Sequence, residues 1–342
     1  MPDRGNHTTV TLKTIAEELG VSITTVTRAL KGGPKISEAT IRRVRETAER
    51  LGYVRNLDGV KLRTGQTFVI MALLGFNDDE EIGDPSSVGL LNGMYKRLSG
   101  TPFTMRAIPT TIGDSGLEFV ENVVRGRNAD GLILDHTEPD DPRVRFLIEN
   151  NVPFVTFGRT DRPQEHAFLD VDNEMAAYRE TSSLIGAGHK RIALLDASPD
   201  FQFVRQRLEG YRRAFAEHGM EVDQNLIAHL HMEVDTVGRK AAELAVRGAD
   251  AFVCMNELFF LAARAGVMRA MGREGLKIGF AVRSGTNIAD YVGTPVYASF
   301  YSRQKAGWQL ADFLLRRIDG ASPESCQMIV QTELRFHEGF LK

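Results

Sequence analysis

At 342 residues, with 42% hydrophobic and 25% charged side chains, the chain has a globular composition and the length of two to three domains. Its net charge of −3 excludes a uniformly basic nucleic-acid binder; no run of eighteen apolar residues suggests a membrane span, and the polar stretch Met1–Thr9 predicts no secretory signal. Cys254 and Cys326 are too few for a disulfide framework or a thiolate metal cluster, and are expected as small buried hydrophobes of a cytoplasmic protein without a cofactor.

The first predicted element opens at Thr11, an N-cap for an apolar stripe of Leu12, Ile15, Ala16 and Leu19 that stops at Gly20. Ser22 caps a second helix with Val26, Ala29 and Leu30 on one face and Ile23, Thr24, Thr25, Thr27 and Arg28 on the other. Only a tight turn around Gly20–Val21 separates the two, which reads as a helix-turn-helix. Threonine hydroxyls suit base edges and Arg28 suits guanine or phosphate. Ser37 caps a third helix, with Ile41, Val44, Ala48 and Leu51 closing the core before Gly52. Charge supports this reading. Residues 1–65 hold twelve basic against seven acidic side chains, +5, so the remainder carries −8. A basic head on an acidic body can hold phosphates with one end.

The order TLK-x-IA-x-x-x-GVS-x-x-TV-x-RAL, then IS-x-x-T, then LGY, resembles the lactose-repressor (LacI/GalR) family of bacterial transcription regulators. The resemblance covers about fifty contiguous residues and, more loosely, the rest of the chain. It implies that Ile23, Thr24 and Arg28 read the major groove, that Thr25 and Thr27 hold phosphates or the helix start, and that Val21 and Val26 are core. Thr11, Ser22 and Lys31 complete the expected DNA contacts of a head spanning 1–55. A hinge is expected over 56–66. Asn56 stands there as a plausible N-cap, and Leu62 falls where the family has a minor-groove leucine wedge. Gly59 replaces the usual alanine, and Arg55 replaces a proline, so the hinge is expected to fold only on DNA, with a plain flexible linker as the alternative.

From Thr67 the pattern alternates. Strands are predicted at 68–74, 103–108, 131–135 and 153–157, with helices at 86–99, 115–126 and 141–151 between them. The rhythm resumes at 191–197 and runs through helices 201–218 and 235–247 to the strands at DAFVCM and KIGFAV. Two such series predict two doubly wound α/β lobes with parallel sheets. The resemblance implies lobes like those of periplasmic sugar-binding proteins. It places lobe 1 at about 67–162 plus 297–325, with the helix 302–319, and lobe 2 at about 163–296 plus 326–342.

Ligands of such sheets sit beyond the carboxyl ends of the strands, so strand exits supply the effector candidates. These are Ser86 and Ser87, where the family often has aromatics, so that a stacking platform is expected to be missing; then Asp135, His136 and Arg159. Arg207, in R-x-x-G-Y, matches a family arginine that reaches effector hydroxyls or carboxylates, or else is a paired helix-surface residue. Asn256 can hold a ligand or cap the following helix. After KIGF the family usually has an aspartate for sugar hydroxyls, and this chain has Phe280-Ala281-Val282-Arg283. Losing an acid and gaining Arg283 suggests an acidic effector such as a sugar acid or phosphorylated sugar; an ordinary sugar held by Arg207, Asp135 and Asn256 is the rival. The resemblance implies a repressor binding a near-palindromic DNA operator as a homodimer, since no heptad extension follows Gly339. Small-molecule control can run by release or by tightening. No nucleophile elbow, Walker loop or zincin motif supports an enzyme. A regulator that answers to a protein partner stays open.

Overall fold

The computed structural model describes residues 10–30, 32–33, 36–53, 65–75, 85–110, 116–231 and 233–339. Lys31, the hinge positions Arg55, Asn56, Gly59 and Leu62, and the Ser86 side chain lie outside what it describes. Contacts divide the chain into two units, Met1–Gln66 and Thr67–Lys342.

In the first unit, helices α1 (Leu12–Leu19), α2 (Ile23–Leu30) and α3 (Glu38–Arg50) each start at a hydroxyl. Thr11 and Thr14 cap each other reciprocally, Ser22 Oγ accepts the Thr25 amide at 3.1 Å, and Ser37 Oγ accepts the Thr40 amide at 3.2 Å. Such caps satisfy helix N–H groups that have no partner within the helix. Gly20 ends α1 in the left-handed region at φ 65°, where a Cβ would be strained. The stripes then meet: Ile15, Ala16, Val26, Ala29, Val44 and Ala48 form one buried core, with Val21 packed at its margin.

The second unit contains two six-stranded sheets. Strands β1 (Val69–Gly75), β2 (Thr104–Thr110), β3 (Gly131–Leu134), β4 (Phe154–Phe157), β5 (Ala167–Val171) and β11 (Gln327–Val330) form the first, in the order β11-β5-β4-β3-β1-β2, all parallel. Strands β6 (Ile192–Asp196), β7 (Ile227–His229), β8 (Ala251–Cys254), β9 (Gly279–Ser284), β10 (Val296–Phe300) and β12 (Glu333–His337) form the second, in the order β12-β10-β9-β8-β6-β7, with only β12 antiparallel. β1, β3, β6 and β8 are apolar and buried on both faces, as strands between two helical layers must be.

Helices α4 (Pro85–Leu98) and α11 (Arg303–Ile318) cover one face of the first sheet, burying Leu90, Met94, Leu310 and Leu314 against Ile70 and Leu74. Helices α5 (Leu117–Arg125) and α6 (Pro142–Glu149) cover the other through Val120, Val123, Val144 and Leu147. In lobe 2, α9 (Val234–Val246) and α10 (Glu257–Met271) pack on one face, and α7 (Asn173–Gly186) with α8 (Gln202–Glu217) on the other. Gly307 lets α11 approach α4 so closely that a Cβ there would overlap the Leu90 carbonyl.

Three boundaries differ from the sequence reading. β5 (167–171) pairs with β4 and β11 in the first sheet, so the chain leaves lobe 1 at Asp172 and not near 162–170. β10 (296–300) pairs with β9 and β12, so the return falls at Tyr301–Ser302, and because β11 joins the first sheet the last crossing falls at Gln331–Thr332 and not near 325–326. The crossings are stitched together: the Asp172 amide donates to Val330 O at 2.9 Å, and Gln331 Nε2 donates to Asp172 Oδ2 at 2.7 Å. Helix α7 has no clear apolar stripe because its buried face mixes Ala176, Ala177 and Leu184 with Asn173, Glu180 and Thr181.

Candidate DNA-reading face and interlobe cleft

On α2, residues four apart share a face. Ile23, Thr24 and Arg28 are exposed together, opposite buried Val26 and Ala29, and Ile23 is 48% exposed despite its apolar side chain. Thr25 and Thr27 are half-buried and serve the helix itself: the Thr25 hydroxyl pairs with Ser22 Oγ at 2.9 Å, and Thr27 Oγ1 donates to Ile23 O at 2.9 Å. Thr11 and Ser22 are exposed caps. The face offers one guanidinium, one free-standing threonine and one aliphatic group, a combination able to meet guanine, a base edge and a thymine methyl.

In the second unit a solvent-open cleft lies between the lobes at the carboxyl ends of the strands. Small-molecule sites favour such positions. Lobe 1 contributes Ser87, Asp135, His136, Thr137, Phe157, Asp170 and Arg303; lobe 2 contributes Asn173, Phe203, Met255, Asn256 and Arg283.

Asp135 leaves β3 and accepts the Gly75 amide at 2.9 Å, and its Oδ1 lies 2.9 Å from His136 Nδ1. Burial alone would raise its pKa, but His136 and the Gly75 amide hold it below the ordinary value. His136 sits in the left-handed region at φ 49°, and its ring lies over Gly75, where any Cβ would collide with it. A non-glycine residue held in that conformation beside a cleft is often functional. Its ring meets Phe201 and Phe203 edge-on, at centroid distances of 5.5 and 6.2 Å.

Asp170 Oδ2 accepts Arg159 Nε at 2.7 Å, while Oδ1 accepts the Val171 amide at 2.8 Å and Asn173 Nδ2 at 3.2 Å. Burial still pushes it above the usual carboxylate range, against the pull of Arg159. Asn173 Oδ1 accepts Arg283 Nη1 at 3.2 Å, and the Arg283 guanidinium lies over Phe203, 5.4 Å from the ring centroid. Arg303 opens α11, is 5% exposed, and lies over Phe157 at 5.0 Å. Burial, then the neighbouring charges of Arg303 and Arg207, pull Arg283 down to about 9, so it stays cationic at neutral pH.

Five of the sequence candidates thus line the cleft: Ser87, Asp135, His136, Asn256 and Arg283. Asn256 also caps α10, its Oδ1 accepting the Phe259 amide at 2.9 Å, so its amide nitrogen is what it can offer a ligand. Two candidates fall elsewhere. Arg159 stands behind the cleft wall, anchoring Asp170. Arg207 is wholly buried, with Nε on Asp196 Oδ2 at 2.7 Å and Nη1 on Glu180 Oε2 at 3.4 Å; it is neither a cleft-lining residue nor a surface one. A carboxylate at the end of β6 and another on α7 enclose it. Phe157 and Phe203 bring rings to the cleft from other elements, the first beneath Arg303 and the second stacked on Phe201 and beneath Arg283. Phe157 is the last residue of β4 and could have been found from that position. Asp170, Asn173 and Arg303 belong to the crossings, and no spacing signal marks them.

A helix-turn-helix unit joined in one chain to a two-lobed, parallel-sheet body with a polar cleft defines a class: DNA-binding regulators that carry a small-molecule-binding domain. The family model described as periplasmic binding proteins and sugar binding domain of LacI family matches residues 78–329, and that of bacterial regulatory proteins, lacI family, matches residues 11–56. The chain belongs to the LacI family of bacterial transcriptional regulators. It is 29% identical over 335 residues to the HTH-type transcriptional regulator CelR of Thermobifida fusca, covering 96% of this chain and 97% of that one. Among solved structures, a CelR–cellobiose complex superposes with a TM-score of 0.69 at 27% identity, over 95% of this chain and 98% of that one. The lac repressor dimer bound to operator and the anti-inducer ONPF shares the fold, with a TM-score of 0.75 at 19% identity over 97% and 99% of the two chains.

Proposed function

We propose that the chain is a cytoplasmic repressor that grips a near-palindromic operator as a homodimer and responds to a small carbohydrate-like effector in the interlobe cleft. The observation that carries this reading is the cleft itself: both lobes contribute polar side chains and one phenylalanine ring each to a solvent-open space at the carboxyl ends of the strands. An effector that touches both lobes binds one lobe arrangement better than another, and that difference is what shifts DNA affinity. Ile23, Thr24 and Arg28 form the proposed base-reading set. An exposed apolar strip of Val88 and Tyr95 on α4 and Trp308 on α11 supports pairing of two copies. The relative with cellobiose bound supports a sugar as effector class. All residues doing this work act by binding, so no catalytic role is assigned.

The test is footprinting of the purified chain on the DNA upstream of its own gene, at low and moderate salt, with and without a sugar panel. A protected near-palindrome whose protection changes with one sugar is expected. No protection at low salt would reject the DNA half of the reading, and protection indifferent to every metabolite would reject the sensing half.

A further inference from the structure

We propose that the effector carries an oxyanion, a carboxylate or phosphate on a carbohydrate-sized polyol, gripped between Arg283 of one lobe and Arg303 of the other. This rests on the cleft being the effector site. Both guanidiniums line the cleft, yet neither has a carboxylate within salt-bridge distance among the described residues. Arg303 is nearly sealed from solvent, and its Nε has no hydrogen-bond partner among them. Arg283 has only the neutral oxygens of Asn173, at 3.2 Å, and Met255, at 3.4 Å.

The acids nearby are engaged mainly with other groups, although Glu257 Oε2 and Glu180 Oε1 have no hydrogen-bond partner among the described residues. Asp135 serves Gly75 and His136; Asp170 serves Arg159, Val171 and Asn173. Asp196 and Glu257 act on Arg283 through space, but Asp196 holds Arg207, and Glu257 Oε1 accepts from Ser284, Gly285 and Thr286. Two buried cations facing one space repel each other, and burying an unpaired charge is costly. A neutral sugar hydroxyl can accept a hydrogen bond from either arginine without cancelling that charge. An oxyanion cancels it and takes two parallel N–H bonds from a guanidinium. Because the two arginines belong to different lobes, a bridging anion also draws the lobes together. The lowered pKa of Arg283, caused by burial and then by Arg303, agrees with this geometry.

The test titrates the full-length chain, in a buffer free of phosphate, with matched triplets: a neutral pentose or hexose, its sugar acid, and its sugar phosphate. The anionic member is expected to bind roughly ten- to a hundredfold more tightly than its neutral parent, as a charge-assisted hydrogen bond would give. Tighter binding of the acid or of the phosphate tells the two anions apart. Arg283→Gln and Arg303→Gln, made separately so that a folding failure in one leaves the other informative, should each erase that preference while circular dichroism stays native. Inorganic phosphate supplies an arm independent of sugar stereochemistry. At millimolar concentration it should raise the melting temperature of the wild type but not of a folded variant. Equal or tighter binding of the neutral sugars, with both variants indifferent and no phosphate effect, overturns the proposal and leaves the cleft reading standing. If no triplet and no phosphate binds, the cleft reading falls as well.

Discussion

The imidazole of His136 and the ring of Phe203 meet edge-on across the interlobe cleft, 6.2 Å between centroids, one from each lobe. Phe203 itself stacks on Phe201 and carries Arg283 on its face. The pair is therefore a contact that lobe movement must keep or break. Phe203→Ala should weaken effector binding about tenfold, on the scale of one lost aromatic contact, and shift the operator affinity of the effector-free protein as the lobes lose that contact. Calorimetry and footprinting on the same preparation would check this. An unchanged effector affinity would remove Phe203 from the site.

Buried Glu180 gives a pH prediction. Burial raises its pKa from 4.5 to about 7, against the attraction of Arg207. With the folded value above the unfolded one, the stability it contributes is complete below about pH 4.5 and is lost as pH rises through about 7. Glu180→Gln keeps the shape without the charge and leaves Arg207 with Asp196. The variant should gain stability relative to the wild type as pH rises from 5 to 8, by an amount on the order of a few kcal/mol. Melting curves of the two proteins across that range provide the check; parallel curves would refute it.

On the DNA-reading face, Arg28→Ala and Ile23→Ala should separate. Loss of Arg28 should cost about 1–3 kcal/mol if it grips a guanine, with discrimination relaxed at one base pair. Loss of Ile23 should reduce preference for a thymine methyl and leave the salt dependence of binding alone. Binding to single-base operator variants at several salt concentrations distinguishes these outcomes. A uniform loss across all sequences for Arg28→Ala would make it a phosphate contact instead.

Helix spacing in lobe 1 rests on a missing side chain. Gly307→Ala would push α11 away from the Leu90 carbonyl. Overpacking of that kind typically costs about 1–3 kcal/mol. The body should melt several degrees lower, which scanning calorimetry would detect, whereas an unchanged melting temperature would mean that the two helices separate freely.

How far the residues alone reached can be followed in particular side chains. Continuous apolar runs marked β1, β3, β6 and β8 because strands covered on both faces have no polar alternation to hide them. Strand exits then delivered Asp135, His136, Asn256 and Arg283 to the cleft. The crossings were placed too early because nothing local in Ala167–Val171 says which sheet it joins. With it went Asp170 and Asn173. Arg207 was expected at a ligand or on a surface; a helix pattern cannot show that Asp196 and Glu180, eleven and twenty-seven residues away, will enclose it. The rings of Phe157 and Phe203 were passed over for a similar reason, since the stacking platform was sought only beside Ser86 and Ser87.

The split make-up of lobe 1 has a consequence during synthesis. Its first five strands leave the ribosome early, but α11 and β11, which cover Ile70, Leu74 and Leu90 and complete the sheet, are translated only after residue 302. Lobe 2, whose strands β6 to β10 and four helices are contiguous in the chain, can assemble first. The apolar face of lobe 1 thus stays open in the nascent protein for the time it takes to make some 130 further residues, from Asp172 to Ser302, whereas lobe 2 waits only for its edge strand β12.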